Sequence, residues 1–219
     1  IIAYEDLFSL CRNIEREDFS LAHSTNERLR REISEAIKRR ENVEGFFELY
    51  KKTLLFDAPH SFDSYLLYLE INRVPKERFY QPRRKVLKNV VDALQDLVDD
   101  KLDELFLSEP PRVGKTTLLM FFVTWLIGRN SESSNLYSAY SDTITKAFYN
   151  GVLETIQDPA TYLWKDVFPK AKIVQTNAQD ETLNIDRKKR YPSLICRSLY
   201  GTLNGACDCN GVLISDDLI

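Results

Sequence analysis

Glycine is nearly missing from the first half of this chain. The 219 residues hold seven glycines, and only Gly45 precedes Gly114. A segment so poor in chain-breaking residues reads as helical from Ile1 to about Asn72. Cysteine is scarce too: four residues are too few for a disulfide scaffold at this size. Cys207-x-Cys209 lacks the spacing of a zinc knuckle, and the two histidines, His23 and His60, lie far away in sequence. Reduced, partly buried thiols are the expectation. No charge of one sign dominates. Thirty Lys and Arg face 33 Asp and Glu, for a net charge of −3, so there is no global basic field and only local patches remain for gripping nucleic acid. The longest apolar run, ending at Ile127, is broken by Thr124 and Gly128 and is too short to span a bilayer. Glu5 and Asp6 come too early for a secretory leader. The 43% hydrophobic and 29% charged fractions are those of a soluble globular protein with one core and a small subdomain.

What is present centres on Glu109-Pro110-Pro111-Arg112-Val113-Gly114-Lys115-Thr116-Thr117. The apolar Glu104–Leu107 precedes it and reads as a strand. Thr117–Ile127 follows and reads as a buried helix. Strand, tight loop and helix opening on Gly-Lys-Thr form the layout of a phosphate-binding loop. Unpaired N–H groups of the loop and helix start converge on phosphate oxygens. Lys115 reaches the β- and γ-phosphates and Thr116 ligates Mg²⁺ in such a loop. Glu109 stands where the usual pattern has its first glycine.

The N-terminal segment carries Ser24-x-x-Glu27, a capping-box pattern, ahead of Leu29, Ile33 and Ile37 on one helical face. Asn42–Phe56 and Phe62–Ile71 read as two more amphipathic helices. Arg30-Arg31 and Lys38-Arg39-Arg40 form a solvated face, or a contact with DNA or a partner subunit. Asn72–Glu77, with Pro75, is the expected joint. It divides a helical subdomain, 1–74, from an α/β domain, 75–219. Next comes Tyr80-Gln81, before a helix with Val86, Val90, Leu94 and Leu97 on one face. A carboxamide there offers adenine both a donor and an acceptor, and Tyr80 is either a stacking surface or a core tyrosine.

Beyond the loop helix, Gly128–Ser134 reads as a turn and Asn135–Tyr140 as a strand. Ser141-Asp142 then caps a helix bearing Ile144, Phe148, Val152 and Ile156. Ala171–Thr176, Glu181–Asp186 and Ser193–Leu199 read as short antiparallel strands, with Arg187–Arg190 as a basic tip between the last two. The strand–helix alternation predicts a parallel sheet covered on both faces. Val212-Leu-Ile-Ser-Asp216-Asp217 is an apolar strand ending in two carboxylates. Asp216 there suits Mg²⁺ coordination and Asp217 suits activation of a water.

Four landmarks in this order, Tyr80-Gln81, Pro110-Pro-Arg-x-Gly-Lys-Thr116, Tyr140-Ser-Asp142 and Val212–Asp217, resemble the ATPase portion of the large terminase subunit of tailed bacteriophages. The resemblance runs from about Phe79 to Ile219. It implies a P-loop NTPase fold of the RecA-like type, ATP and Mg²⁺ as cofactors, and a motor driving double-stranded DNA into procapsids in the host cytoplasm. Its implied partners are the portal protein, the small terminase subunit and further copies of itself in a ring, a pentamer on the portal. The nucleotide contacts implied are Tyr80, Gln81, Arg112, Val113, Gly114, Lys115, Thr116 and Thr117, with Arg112 touching the γ-phosphate. Thr116 and Asp216 hold the metal, and Asp217, Lys115 and Arg112 serve the reaction. Two departures matter. Relatives often carry an Arg before the carboxylate strand, where this chain reads Gly205-Ala206-Cys207-Asp208. Arg129 and Arg197 are weak substitutes. The family's sheet is also ordered 5-1-4-3-2, and its fourth and fifth strands and nuclease domain have no counterpart in these residues. The expectation is therefore a portion of a longer polypeptide. The rival readings are a helicase-like ATPase and an adaptor that binds nucleotide without hydrolysis.

Overall fold

Asp18 opens the longest helix of the N-terminal unit by accepting a hydrogen bond from Leu21 N–H at 2.8 Å. Helix α2 thus runs Phe19–Lys38, and Ser24 lies inside it with its hydroxyl donated to the Leu21 carbonyl. The capping box expected at Ser24 is corrected: its pattern falls by chance within a helix already capped at Asp18. The computed structural model describes residues 1–201 and 207–217. Two compact units divide between Pro82 and Arg83, where sequence placed the joint at Asn72–Glu77.

In the first unit α1 (Ile2–Ile14), α2, α3 (Val43–Asp57) and α4 (Phe62–Leu69) pack in succession. Phe8, Leu29, Ile33, Ala36, Phe46 and Leu49 make its core, with Ile37 partly buried against them. Two carboxylates are buried, and each is compensated. Asp57 takes Arg30 at 2.7 Å and His23 at 2.6 Å. Glu70 takes Arg73 at 2.6 Å and accepts from the Phe79 N–H at 2.8 Å. A buried charge without such partners would cost several kcal/mol, about 3–5 when one partner is removed.

Helix α5 (Tyr80–Val98) leads into the second unit. Its buried side chains there are Leu87, Val90, Val91 and Leu94, while Val86 is exposed, so the apolar face is rotated from the one expected. Helix α6 (Lys115–Arg129) is buried at nine of the ten positions from Leu118 to Ile127, Met120 being the exception. It therefore lacks a polar face, as befits a helix enclosed by the core. Strand β1 (Asn135–Ala139), α7 (Asp142–Gln157), the short α8 (Trp164–Val167), β2 (Ile173–Asn177), β3 (Thr182–Ile185), β4 (Leu194–Ser198) and β5 (Leu213–Asp216) follow.

The sheet order is β2-β3-β4-β1-β5. Strands β4, β1 and β5 are parallel, while β2, β3 and β4 form an antiparallel meander. The expected parallel sheet is therefore corrected to a mixed one: the three short strands read as antiparallel join it through β4, which pairs antiparallel with β3 and parallel with β1. Helix α7 packs on β1 and β4, with Tyr137 and Phe148 stacked at 3.5 Å. Glu104–Leu107 is not a strand, and Phe106 is 90% exposed. Apolar residues become a strand only with a ladder partner, and no described strand pairs with this stretch. No described helix is long and apolar enough to cross a membrane.

Gly128 lies inside α6 rather than in a turn, and a Cβ there would stand 2.3 Å from the Phe168 ring. Trp164 sits against the same ring and donates its indole N–H to the Thr124 carbonyl at 2.9 Å, so the ring has little room to yield. Gly128→Ala is expected to destabilise the chain by about 1–3 kcal/mol through overpacking. Urea unfolding beside the parent checks this, and an unchanged midpoint would mean that the ring yields freely.

Candidate functional site

The loop before α6 turns at Pro110–Val113, where the Val113 N–H reaches the Pro110 carbonyl at 3.4 Å. Arg112 is exposed with φ 69°, and Gly114 has φ 101°. A side chain is strained in the latter conformation, which explains glycine at the position just before the helix. The first helical bond of α6 is Leu118 N–H to Gly114 O. The amides of Lys115, Thr116 and Thr117 thus precede the ladder and point out of the helix start.

Strand β5 brings the carboxylates to this helix start. Asn135, itself buried, ties β5 to its neighbours: its Nδ2 donates to Ser193 O at 2.9 Å and its Oδ1 accepts from Val212 N–H at 2.9 Å. The pairing then sets Leu136 opposite Leu213 and Ala139 opposite Asp216. Asp216 is buried, and Asp217 projects from the strand end with φ 43° and an exposed side chain.

Four predicted side chains meet here. Lys115 Nζ lies 2.9 Å from Asp216 Oδ1 and 2.8 Å from Asp217 Oδ1. The Thr116 hydroxyl donates to Asp216 Oδ2 at 2.9 Å, from a position 100 residues away in sequence. Hydrogen bonds to Asp217 and Asp216 raise the Lys115 pKa above the usual lysine range, with burial opposing them. The lysine is therefore held charged.

A fifth group, Tyr137, was read from the sequence only as part of a strand. Its hydroxyl donates to Asp216 Oδ2 at 3.2 Å. Burial, followed by the Asp216 charge, pushes its pKa up, so it remains a neutral donor. The signal was available in principle: a tyrosine inside a buried parallel strand must find a partner for its hydroxyl.

Tyr80 and Gln81 belong to the N-terminal unit. Tyr80 is fully buried, with its hydroxyl donated to Asp63 at 2.5 Å, so of the two sequence alternatives it takes the core position. Gln81 is exposed and accepts from Arg78 Nη1. Arg129 is committed to the Trp125 ring at 4.3 Å, and Arg197 donates to the Asp180 and Cys196 carbonyls. In the basic tip, Arg187 pairs with Glu132 and Lys189 donates to Ser131 O and Ser133 O. Residues 202–206, including most of the Gly201–Gly205 loop, lie outside the described residues, as do Leu218 and Ile219.

The donor set suits Mg²⁺. Thr116 and Asp216 offer two hard oxygens 2.9 Å apart beside an open helix start, and Mg²⁺ takes one or two protein oxygens and fills the rest of its shell with water and phosphate. Comparison of the chain with models of protein families, with curated proteins and with solved structures finds no match.

Proposed function

We propose that the chain is an Mg²⁺-dependent ATPase of the P-loop class, acting as the motor part of a viral terminase that moves double-stranded DNA into procapsids. One observation carries the ATPase reading. Lys115 and Thr116, at a helix start behind a glycine-hinged loop, meet Asp216 and Asp217 at a parallel strand end. A lysine, a hydroxyl and two acids brought together in this way are what phosphoryl transfer needs for positioning and charge neutralisation. The terminase reading rests on the Pro-Pro-Arg form of the loop and the order of the landmarks.

In this reading Lys115 exchanges its carboxylate partners for phosphate oxygens. The amides of Lys115, Thr116 and Thr117, together with Val113 and Gly114, cradle the phosphates. Thr116 and Asp216 hold Mg²⁺, which supplies charge neutralisation at the phosphates. Tyr137 keeps Asp216 oriented. Asp217 polarises a water for in-line attack at the γ-phosphorus. The new P–O bond forms as the bridging bond to ADP breaks, and the proton of the water passes to Asp217 or to solvent. Arg112, at the exposed turn, balances charge developing on the γ-phosphate. Double-stranded DNA, the portal protein, the small terminase subunit and a ring of copies, a pentamer, are the partners of this reading, in the host cytoplasm.

The test is ATP turnover by the protein with and without linear duplex DNA and empty capsids bearing a portal. Turnover raised by DNA and capsids together is the expected result. Turnover that answers to DNA and ignores capsids would replace the motor with a helicase-like ATPase. Nucleotide binding without turnover would leave an assembly adaptor.

A further inference from the structure

Among the described residues, one group of three metal-ligating side chains comes together, and it stands in the N-terminal unit: Glu15, His23 and His60. Glu15 follows the end of α1, His23 sits in the second turn of α2, and His60 lies in the turn between α3 and α4. Their ligand atoms all lie within 4.8 Å of one another.

The histidine at the centre is already oriented. His23 Nδ1 lies 2.6 Å from Asp57 Oδ1, and the other Asp57 oxygen is held by Arg30 at 2.7 Å. With Nδ1–H donating to the buried carboxylate, Nε2 is left as the ligating nitrogen. A carboxylate behind a histidine is the usual outer partner of a metal-bound imidazole, because it fixes the tautomer and raises the basicity of the ligand. His23 Nε2 faces Glu15 Oε1 at 3.1 Å. Phe56 stacks on the His23 ring at 4.6 Å, and Phe19 packs on His23 at 4.2 Å and on His60 at 4.9 Å. The two aromatic rings thus pack about the imidazoles, while His23 Nε2 faces the Glu15 carboxylate.

We infer that Glu15, His23 and His60 form a binding site for a divalent cation of the zinc class, with Asp57 and Arg30 as its outer support. In a tetrahedral zinc site, bonds of roughly 2.1 Å set ligand atoms about 3.4 Å apart. The Glu15–His23 pair, at 3.1 Å, opens by a few tenths of an ångström to reach that spacing, and the exposed His60 closes the third side from within 4.8 Å. Two nitrogens and one carboxylate oxygen suit Zn²⁺ rather than Ca²⁺ or Mg²⁺, which prefer oxygen alone. The fourth position goes to water. The cation ties α1, α2 and the α3–α4 turn together, three elements that are otherwise joined by apolar packing and the Asp57 pairs. The inference is independent of the ATPase reading.

The experiment is titration of the metal-stripped, untagged chain with Zn²⁺ alone, followed by calorimetry at neutral pH, and with Co²⁺ as a visible-light probe. One equivalent of Zn²⁺ is expected, with Co²⁺ giving tetrahedral bands and no thiolate-to-metal absorption. His60→Ala and Glu15→Gln, both at accessible positions, each weaken binding by at least about tenfold, the lower bound for loss of even an outer partner of a ligand. Replacement of Cys207 and Cys209 by Ser leaves binding unchanged. No uptake by the folded parent overturns the site. So does uptake that survives both His60→Ala and Glu15→Gln, or that disappears with the cysteines.

Discussion

Lys115→Ala lowers ATP turnover by about 10²–10³-fold, the cost of removing one group that faces charge developing in a transition state. The side chain is the cation nearest both carboxylates of the cluster, and it is the group poised to follow charge onto a phosphate. Its removal leaves Asp216 Oδ2 with hydrogen bonds from Thr116 and Tyr137 but takes the ion pair from the buried Oδ1. Helix α6 is anchored from Leu118 onward by buried apolar residues. The fold is therefore expected to survive with a lowered thermal midpoint, since a buried charge loses one of its partners. Phosphate release under saturating Mg²⁺-ATP, measured beside that midpoint, is the check. Turnover within a factor of two of the parent in a folded variant would remove Lys115 from the chemistry.

Asp217→Asn separates binding from reaction. Asp217 is exposed and stands beside Lys115, whereas Asp216 is buried and shares its oxygen with Thr116 and Tyr137. The two acids are thus unlike in environment, and only the buried one is built to hold a metal in place. An asparagine at 217 keeps shape but takes up no proton. Turnover is expected to fall by about 10²–10⁴-fold, the usual contribution of a positioned acid or base. The affinity for Mg²⁺-ATP, followed with a fluorescent analogue, is expected to stay within a few fold. Parallel loss of affinity and rate would make Asp217 a second metal ligand. An unchanged rate would mean that no residue assigned here activates the water.

The parts of the site that the sequence exposed are those whose chemistry is local. Gly114-Lys115-Thr116 needs only a helix start, and Asp216-Asp217 only a strand end, so each is legible within a few residues. Their meeting depends on β1, which pairs with β5 and was itself readable as a buried strand. The meander was legible as well, since the turn at Gln179 and the basic tip Arg187–Arg190 separate its short strands. What failed was read from pattern where packing decides. Glu104–Leu107 has the composition of a strand and no partner to pair with. Ser24-x-x-Glu27 has the spacing of a cap, but Asp18 starts the helix sooner. The Asp57, His23 and Arg30 cluster was invisible because its members are held together across two packed helices, with His23 and Asp57 34 positions apart in sequence.

Strand β5 has a further consequence. On one side it pairs with β1, and on its other side no described strand pairs with it, while Leu213 is 58% exposed. An edge with bare N–H and C=O groups and an apolar side chain invites a strand from another molecule. In this chain that edge belongs to the same four residues that deliver Asp216 to Lys115 and Thr116. A strand added at this edge would therefore lie beside the cluster. Particle growth in a concentrated sample and loss of the cluster's chemistry would then be two records of one event, and shielding the edge would guard against both.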